Sequence, residues 1–253
     1  MKRDKVPLLL RRLQQIAHML KQHPQGLGLL GLGSTGDQSR MDEYSDLDFF
    51  AVVAEDHKYA FIDDLSWLAN IAPVAYAFRN TQDGYKLLYG DGVFCEFAVF
   101  EAKELQSIPY QSGQFIWRDD SLPESLATPC LSTPEISQDV PFLLGELLTN
   151  LYVGLCRYQR GEMCSAQRFV QVYAMDRLIS LLDLTLTETD LQKRDPFCID
   201  RRAEQRHRQV AQHLSGFLSD AARLPETVVN MLDFVKQRFP VDSAMEANIR
   251  ELL

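Results

Sequence analysis

Two aspartates stand two residues apart, Asp46 and Asp48, at the head of the segment DLDFFAVVA, which from Leu47 onward is apolar enough to be a buried strand. Side chains alternate along a strand, so both carboxylates face one side and Leu47 faces the other. Two carboxylates held close repel unless a cation sits between them. Mg²⁺ prefers hard oxygen ligands and usually takes one or two carboxylates together with phosphate oxygens. Upstream, Gly33-Ser34 closes the apolar run GLGLLGLG. A glycine there lets backbone N–H groups approach a phosphate, and the serine hydroxyl adds a donor. Downstream, Glu96 interrupts the apolar run VFCEFAVF. An unpaired buried carboxylate costs several kcal/mol, so this position calls for a partner. If the two acid-bearing strands pair, Glu96 joins Asp46 and Asp48 as a third metal ligand or as general base for an attacking hydroxyl. Asp46, Asp48 and Glu96 are therefore the candidate catalytic and metal-binding residues. Gly33 and Ser34, with the aspartates, are the candidate triphosphate-binding residues. The bland alternatives are a solvated strand end for the aspartates, an edge position for Glu96 and a purely conformational role for Gly33 and Gly36.

The frame that must position these groups is a chain of 253 residues, 46% hydrophobic and 24% charged. Those are ordinary globular values, enough for one large domain or two modest ones. The net charge of −9 argues against wrapping nucleic acid or lying on a membrane, and suits a cationic small-molecule partner. The five cysteines are scattered and form no CxxC pair, which predicts reduced thiols and no zinc site. The N-terminal apolar run is short and broken by Arg11, Arg12 and Gln14, so it reads as an amphipathic helix rather than a leader. No stretch approaches ~18 apolar residues. The expectation is a cytoplasmic protein, monomeric or homodimeric.

Periodicity predicts helix over 5–22 and 58–70, and strands over 26–33, 47–54, 73–79, 85–90, 93–100 and 114–120. Pro123, Pro129 and Pro134 amid Ser and Thr suggest a linker over 121–138. Helical spacing follows over 142–161, 165–184, 201–219, 226–238 and 242–252. The expected architecture is an α+β N-terminal domain with a mixed sheet (1–120) and an all-α helical bundle (139–253).

The set Gly31-Leu32-Gly33-Ser34, Tyr44-Ser45-Asp46-Leu47-Asp48-Phe49 and Glu96 resembles the nucleotidyltransferase superfamily, whose members carry a polymerase-β-like fold. With a helical C-terminal domain, and with Arg160-Gly161-Glu162 after its first helix, the chain resembles the lincosamide and aminoglycoside adenylyltransferases. The motif residues span roughly 31–96. The resemblance implies transfer of AMP from ATP, with Mg²⁺, to a hydroxyl of a small molecule such as an aminoglycoside or lincosamide antibiotic. It casts 1–120 as the catalytic domain and 139–253 as an acceptor-binding domain. One departure is visible: family members often carry a basic residue soon after the Gly-Ser, whereas here the first is Arg40. Two alternatives stand beside this reading. One is a nucleotidyltransferase of the toxin–antitoxin type acting on a protein or tRNA, though the lack of a basic patch weighs against nucleic acid. The other is a non-catalytic nucleotide-binding module.

In the C-terminal half, Glu146, Asn150 and Arg157 fall on one helix face. Glu146 is a rival for the general base, and a solvated face is the bland reading. Arg168 and Arg177 read as surface ion-pair formers or as phosphate clamps. His207 and His213, in RRAEQRHRQVAQH, read as a solvated helix face, although Arg208 and His213 have an R-x4-H spacing that resembles ribonuclease-type helical domains. Gly31 to Gly36 matches GxGxxG in form, but no clear helix follows, so a dinucleotide site is disfavoured.

Overall fold

The computed structural model describes residues 5–131, 137–186 and 189–253. The chain divides into two compact units, Met1–Thr133 and Pro134–Leu253. The first is α+β with a mixed sheet and the second is helical. None of the described helices is long and apolar enough to cross a membrane.

The first unit opens with α1 (Val6–Gln22), whose Leu9, Leu13, Ile16 and Leu20 are fully buried. Each such side chain stabilises the unit by roughly 1.5–3 kcal/mol relative to exposure. Arg12 lies on the same buried side, paired with Asp91 at 2.7 Å and stacked over the Tyr89 ring. The strands are β1 (Gly26–Gly31), β2 (Leu47–Val53), β3 (Val74–Arg79), β4 (Gly84–Tyr89), β5 (Phe94–Glu101) and β6 (Gln114–Arg118), in spatial order β3-β4-β5-β2-β1-β6. β2 and β5 are parallel, and every other pair is antiparallel.

Alternation gives this sheet two faces. Leu47, Phe49, Ala51 and Val53 of β2 join Cys95, Phe97 and Val99 of β5 in a core packed on α1. The other face carries a smaller cluster of Leu30, Val52, Phe100, Leu105, Tyr110, Leu122 and Leu126. Leu122 and Leu126 lie within the stretch read as a linker, of which residues 132–136 fall outside the described residues. The helix expected over 58–70 is two short ones, Lys58–Asp63 and Ser66–Ala69. Asp64 between them is extended, and its carboxylate accepts from the Ser66 N–H at 2.8 Å and the Ser66 hydroxyl at 2.9 Å. That local bond competes with helix continuation.

In the second unit, α2 (Val140–Gln159) is capped by Asp139, which accepts from the Phe142 N–H at 3.1 Å. Next come α3 (Met163–Arg168), a π-helical stretch (Phe169–Ala174) and α4 (Met175–Thr185). Gly154 of α2 faces the π stretch so closely that a Cβ there would stand 2.6 Å from Val170 Cγ2. Two longer helices end the chain, Leu224–Lys236 and Ser243–Glu251. The helix expected over 201–219 is instead broken into Ala203–Arg206, a 3₁₀ turn and Ala211–Gly216.

The solvated-face reading of that segment is corrected for His207, which is fully buried beside Arg206. Arg206 Nε donates to Asp183 Oδ1 at 2.8 Å, and His207 Nε2 lies 2.7 Å from the same oxygen. Arg194 Nε stands 3.2 Å from Asp183 Oδ2. Arg206 also donates to the carbonyls of Ile199 and Arg201. Burial alone would raise the Asp183 carboxyl, but the bonds and charges of His207 and Arg206 outweigh it and hold it below the ordinary carboxylate value. Reaching one buried acid from two adjacent residues bends the chain, which breaks the helix. His213 and Arg208 are exposed, as expected.

Candidate active site

The register of the sheet assembles the acids. Asp48 is directly opposite Glu96 across the parallel β2–β5 pair, Glu96 is opposite Lys86 of β4, and Lys86 is opposite Phe78 of β3. Residues opposite one another share a face, with strands about 4.8 Å apart. A row of Phe78, Lys86, Glu96 and Asp48 therefore runs across four strands. It lies on the face away from α1, where Asp48 alternates with Phe50 and Val52. Asp46 immediately precedes β2 and is half-buried, as is Asp48. The charges of both aspartates reach the Cys95 thiol, which lies on the α1 side of the sheet. Burial pushes that thiol up to about 12, Arg12 opposes the rise, and the charges of Asp46, Asp48 and Asp91 add to it.

Glu96 is half-exposed, so burial is not what demands its partner. Its Oε2 lies 3.3 Å from Lys86 Nζ, and its Oε1 accepts from Asn80 Nδ2 at 3.3 Å. The Lys86 and Glu96 side chains are 43% and 44% exposed. An ion pair so open to water is worth at most about 1 kcal/mol, so a ligand can displace it at small cost.

The Gly-Ser segment is a single helical turn, Gly33–Gly36, between β1 and a 3₁₀ turn at Gln38–Arg40. Gly33 has φ +52°, the left-handed region that favours glycine, and a Cβ there would lie 3.6 Å from Asp48 Oδ2. The Asp48 carboxylate thus points at the turn. Thr35 and Gly36 donate their N–H groups to the Leu32 carbonyl, and Asp37 donates to that of Gly33. The N–H groups of Gly33 and Ser34 find no acceptor among the described residues. Thr35, fully buried, locks turn to strand: its Oγ1 accepts from the Asp48 N–H at 2.8 Å and lies 3.5 Å from the Asp46 carbonyl. The Leu32 N–H donates to the Asp48 carbonyl at 2.9 Å. The backbone carrying both aspartates is therefore fixed against the turn by two short bonds.

No family model and no curated protein matches the chain. Among solved structures it is similar to an aminoglycoside 6-adenyltransferase from Bacillus subtilis, with 10% identity and a TM-score of 0.38 over 95% of both chains. It is also similar to a nucleotidyltransferase-like protein from Exiguobacterium sibiricum, with 12% identity and a TM-score of 0.33 over 90% of this chain and 74% of that one. A third is the Bradyrhizobium diazoefficiens CD-NTase CdnG in complex with GTP, with 13% identity and a TM-score of 0.33 over 90% and 93% of the two chains. Nucleotidyltransferases recur among these similar structures.

The donor set fits Mg²⁺ in one specific way. Among the described residues, no three of His, Cys, Asp and Glu converge into a ready cluster for a metal ion. Two carboxylates at the head of β2, beside unsatisfied backbone donors, match the one or two carboxylates that Mg²⁺ takes when phosphate oxygens complete its shell. Glu96 is one strand away and held by Lys86, so it is not part of a preformed three-acid ligand set.

The other candidates lie in the second unit. Glu146 and Asn150 are half-buried on α2, and Arg157 pairs with Glu162 at 2.7 Å. That bond engages the Glu162 of Arg160-Gly161-Glu162. Arg168 stacks on the Tyr173 ring, and Arg177 Nε is buried without a hydrogen-bond partner among the described residues. The ion pairs expected of these two arginines are not formed among the described residues. Sequence reading missed Thr35, Lys86 and Asn80. Thr35 had a signal, being a hydroxyl directly after the Gly-Ser pair. Lys86 had one too, as the lone charge inside YKLLYG.

Proposed function

We propose that the first unit is a nucleotidyltransferase catalytic domain that transfers a nucleoside monophosphate, AMP from ATP, to a hydroxyl of a small acceptor. The observation carrying this reading is the placement, at one end of the sheet's two central strands, of the Asp48 carboxylate, the Gly33–Ser34 turn whose N–H groups find no acceptor among the described residues, and Glu96 opposite Asp48. Asp46 and Asp48 would hold Mg²⁺. When bound, the ion would neutralise phosphate charge and aid departure of the leaving group. Gly33 and Ser34 donate to phosphate oxygens. Glu96, once released from Lys86, accepts the proton of the acceptor hydroxyl as its oxygen attacks the α-phosphorus, and pyrophosphate leaves with the bonding electrons of the broken P–O bond. The acceptor class proposed is an aminoglycoside or lincosamide, and the acidic chain (net charge −9) suits a cationic one. The helical unit, 139–253, is proposed to carry acceptor-binding residues.

A second reading is favoured by one observation, the Lys86–Glu96 pair, with no three-acid cluster among the described residues. It is a nucleotide-binding module without turnover. The test is Mg²⁺-dependent pyrophosphate release from ATP and GTP across a panel of aminoglycosides and lincosamides, with Asp46→Asn/Asp48→Asn as control. Release that needs one acceptor and vanishes in the control supports the transferase. Nucleotide binding that depends on Mg²⁺ without release across the panel favours the module, or a protein or tRNA acceptor. Absence of nucleotide binding rejects the site.

A further inference from the structure

The two edges of the sheet are finished differently. At one edge, β6 keeps Phe115, Ile116, Trp117 and Arg118 half-buried. At the other, β3 is exposed at every residue from Ala75 to Arg79. Tyr76 and Phe78, on the face away from α1, are 57% and 53% exposed. Ala75 and Ala77 leave the opposite face flat. The backbone of this edge is open too. The Asn80 N–H donates to the Gly84 carbonyl in the β3–β4 hairpin, and Phe78 is opposite Lys86 in the same register. Peptide groups alternate in direction along an antiparallel strand, so those of Asn80 and Phe78 face β4 and those of Ala77 and Arg79 face outward. The outward groups have no partner among the described residues.

Folded chains usually blunt such an edge with lysines, prolines, a bulge or a covering segment. Here the bulge lies at the start of β3, between Val74 and Tyr76 and just after Pro73. The one charge on the strand, Arg79, is drawn back by its own chain, donating to Asp63 at 3.3 Å and to the Gln82 carbonyl at 2.6 Å. What is left is an uncharged, alternating edge of small and aromatic residues.

We infer that β3 pairs antiparallel with β3 of a second copy of this chain, about a two-fold axis through Ala77. The edge is self-complementary in that register. Ala77 faces Ala77 of the other copy, and each offers the other its outward N–H and C=O. Tyr76 faces Phe78, an aromatic cross-strand pair made twice. Ala75 faces Arg79, a small residue leaving room for a long one. No like charges stand opposite one another, so the net charge of −9 meets no local repulsion along the edge. The two-fold axis keeps both Asp48–Glu96 rows on one side of a continuous sheet, with the Asp48 positions roughly 34 Å apart at about 4.8 Å per strand. Each copy therefore retains its own site, and the pairing does not depend on the nucleotide reading. The contact is one strand wide and about 20 Å long, small beside the roughly 1,200 Å² at which standard interfaces begin, so the dimer depends on concentration.

The test is sedimentation of the full chain from about 1 µM to about 1 mM, which spans weak to moderate affinities. It compares wild type, Ala77→Lys, Ala77→Glu and an equimolar mixture of the two variants. Wild type should shift from monomer to dimer as concentration rises. Each single variant places like charges opposite one another across the axis and should weaken the dimer about fivefold or more. The mixture should recover wild-type association, which misfolded variants could not do. Because Ala77 is exposed, the urea midpoint at low concentration should match that of wild type. A wild type that stays monomeric throughout overturns the inference and leaves the edge to a strand of another protein. Association unchanged in both variants overturns β3 as the interface. Association lost in both and not recovered in the mixture overturns the two-fold pairing at Ala77.

Discussion

Two charged clusters in this molecule are built on opposite terms. The first unit leaves Asp46, Asp48 and Glu96 partly open to water, with Glu96 held, among the described residues, by an exposed lysine and one amide. The cluster in the helical unit seals Asp183 with Arg206 and His207 at zero or near-zero exposure, with Arg194 Nε 3.2 Å from its other oxygen, which accepts no hydrogen bond among the described residues. A carboxylate placed to take a cation and phosphate keeps access to water, whereas one that fixes the path of a chain is buried against its cations, because a buried charge without a counter-charge is costly. The difference separates groups poised for chemistry from groups spent on structure, even though both contain acids within reach of bases.

The comparison can be broken by substitution. Asp48→Asn is expected to lower transfer on the order of 10²–10³-fold while the urea midpoint moves little, since the side chain is half-open. A large loss of stability would place Asp48 with the structural cluster. Asp183→Asn is expected to do the reverse. It leaves Arg206 buried without its counter-charge, at a cost of about 3–5 kcal/mol, readable as a lowered urea midpoint, with nucleotide affinity of the folded fraction unchanged. The same cluster predicts a pH effect. Because the folded carboxyl of Asp183 lies below its unfolded value, its contribution is full above the ordinary carboxylate pKa of about 3.9 and is lost as pH falls through the folded value. Asp183→Asn should flatten the acid limb of the stability profile, and an unchanged limb would argue that other acids control it. Thr35→Val is the smallest and sharpest case. It leaves the Asp48 N–H without its acceptor, about 1–3 kcal/mol, and should lower turnover beyond what the fraction unfolded explains. Loss of stability alone would make Thr35 a packing residue.

Legibility followed the range of the interactions. Asp46, Asp48, Gly33 and Ser34 lie within sixteen residues of one another along the chain, and strand alternation alone sets the aspartates on one side. Glu96 was legible as an acid in an apolar strand, yet the parallel pairing that puts it opposite Asp48 came from the sheet order. Lys86 and Asn80 were not legible as its partners, because cross-strand register decides them. The segment 201–219 failed for the same reason in reverse. Its polar composition looked solvated, and nothing local pointed to Asp183, 24 residues before His207. The break at Asp64 was missed because a short side chain capturing its own neighbours leaves the apolar spacing intact.

The π-helical stretch at Phe169–Ala174 carries a consequence for α4. A π turn holds about one residue more than an α turn, and one residue of α-helix turns through about 100°. The surplus residue acts as a phase corrector: everything after it is rotated relative to a straight continuation from α3. Leu178, Ile179, Leu182 and Asp183 reach the interior on that rotated phase. A straight helix of the same length would swing Asp183 away from Arg206 and His207, so a counterpart in which this helix runs straight must be one residue shorter between α3 and α4 to keep the same residues facing inward.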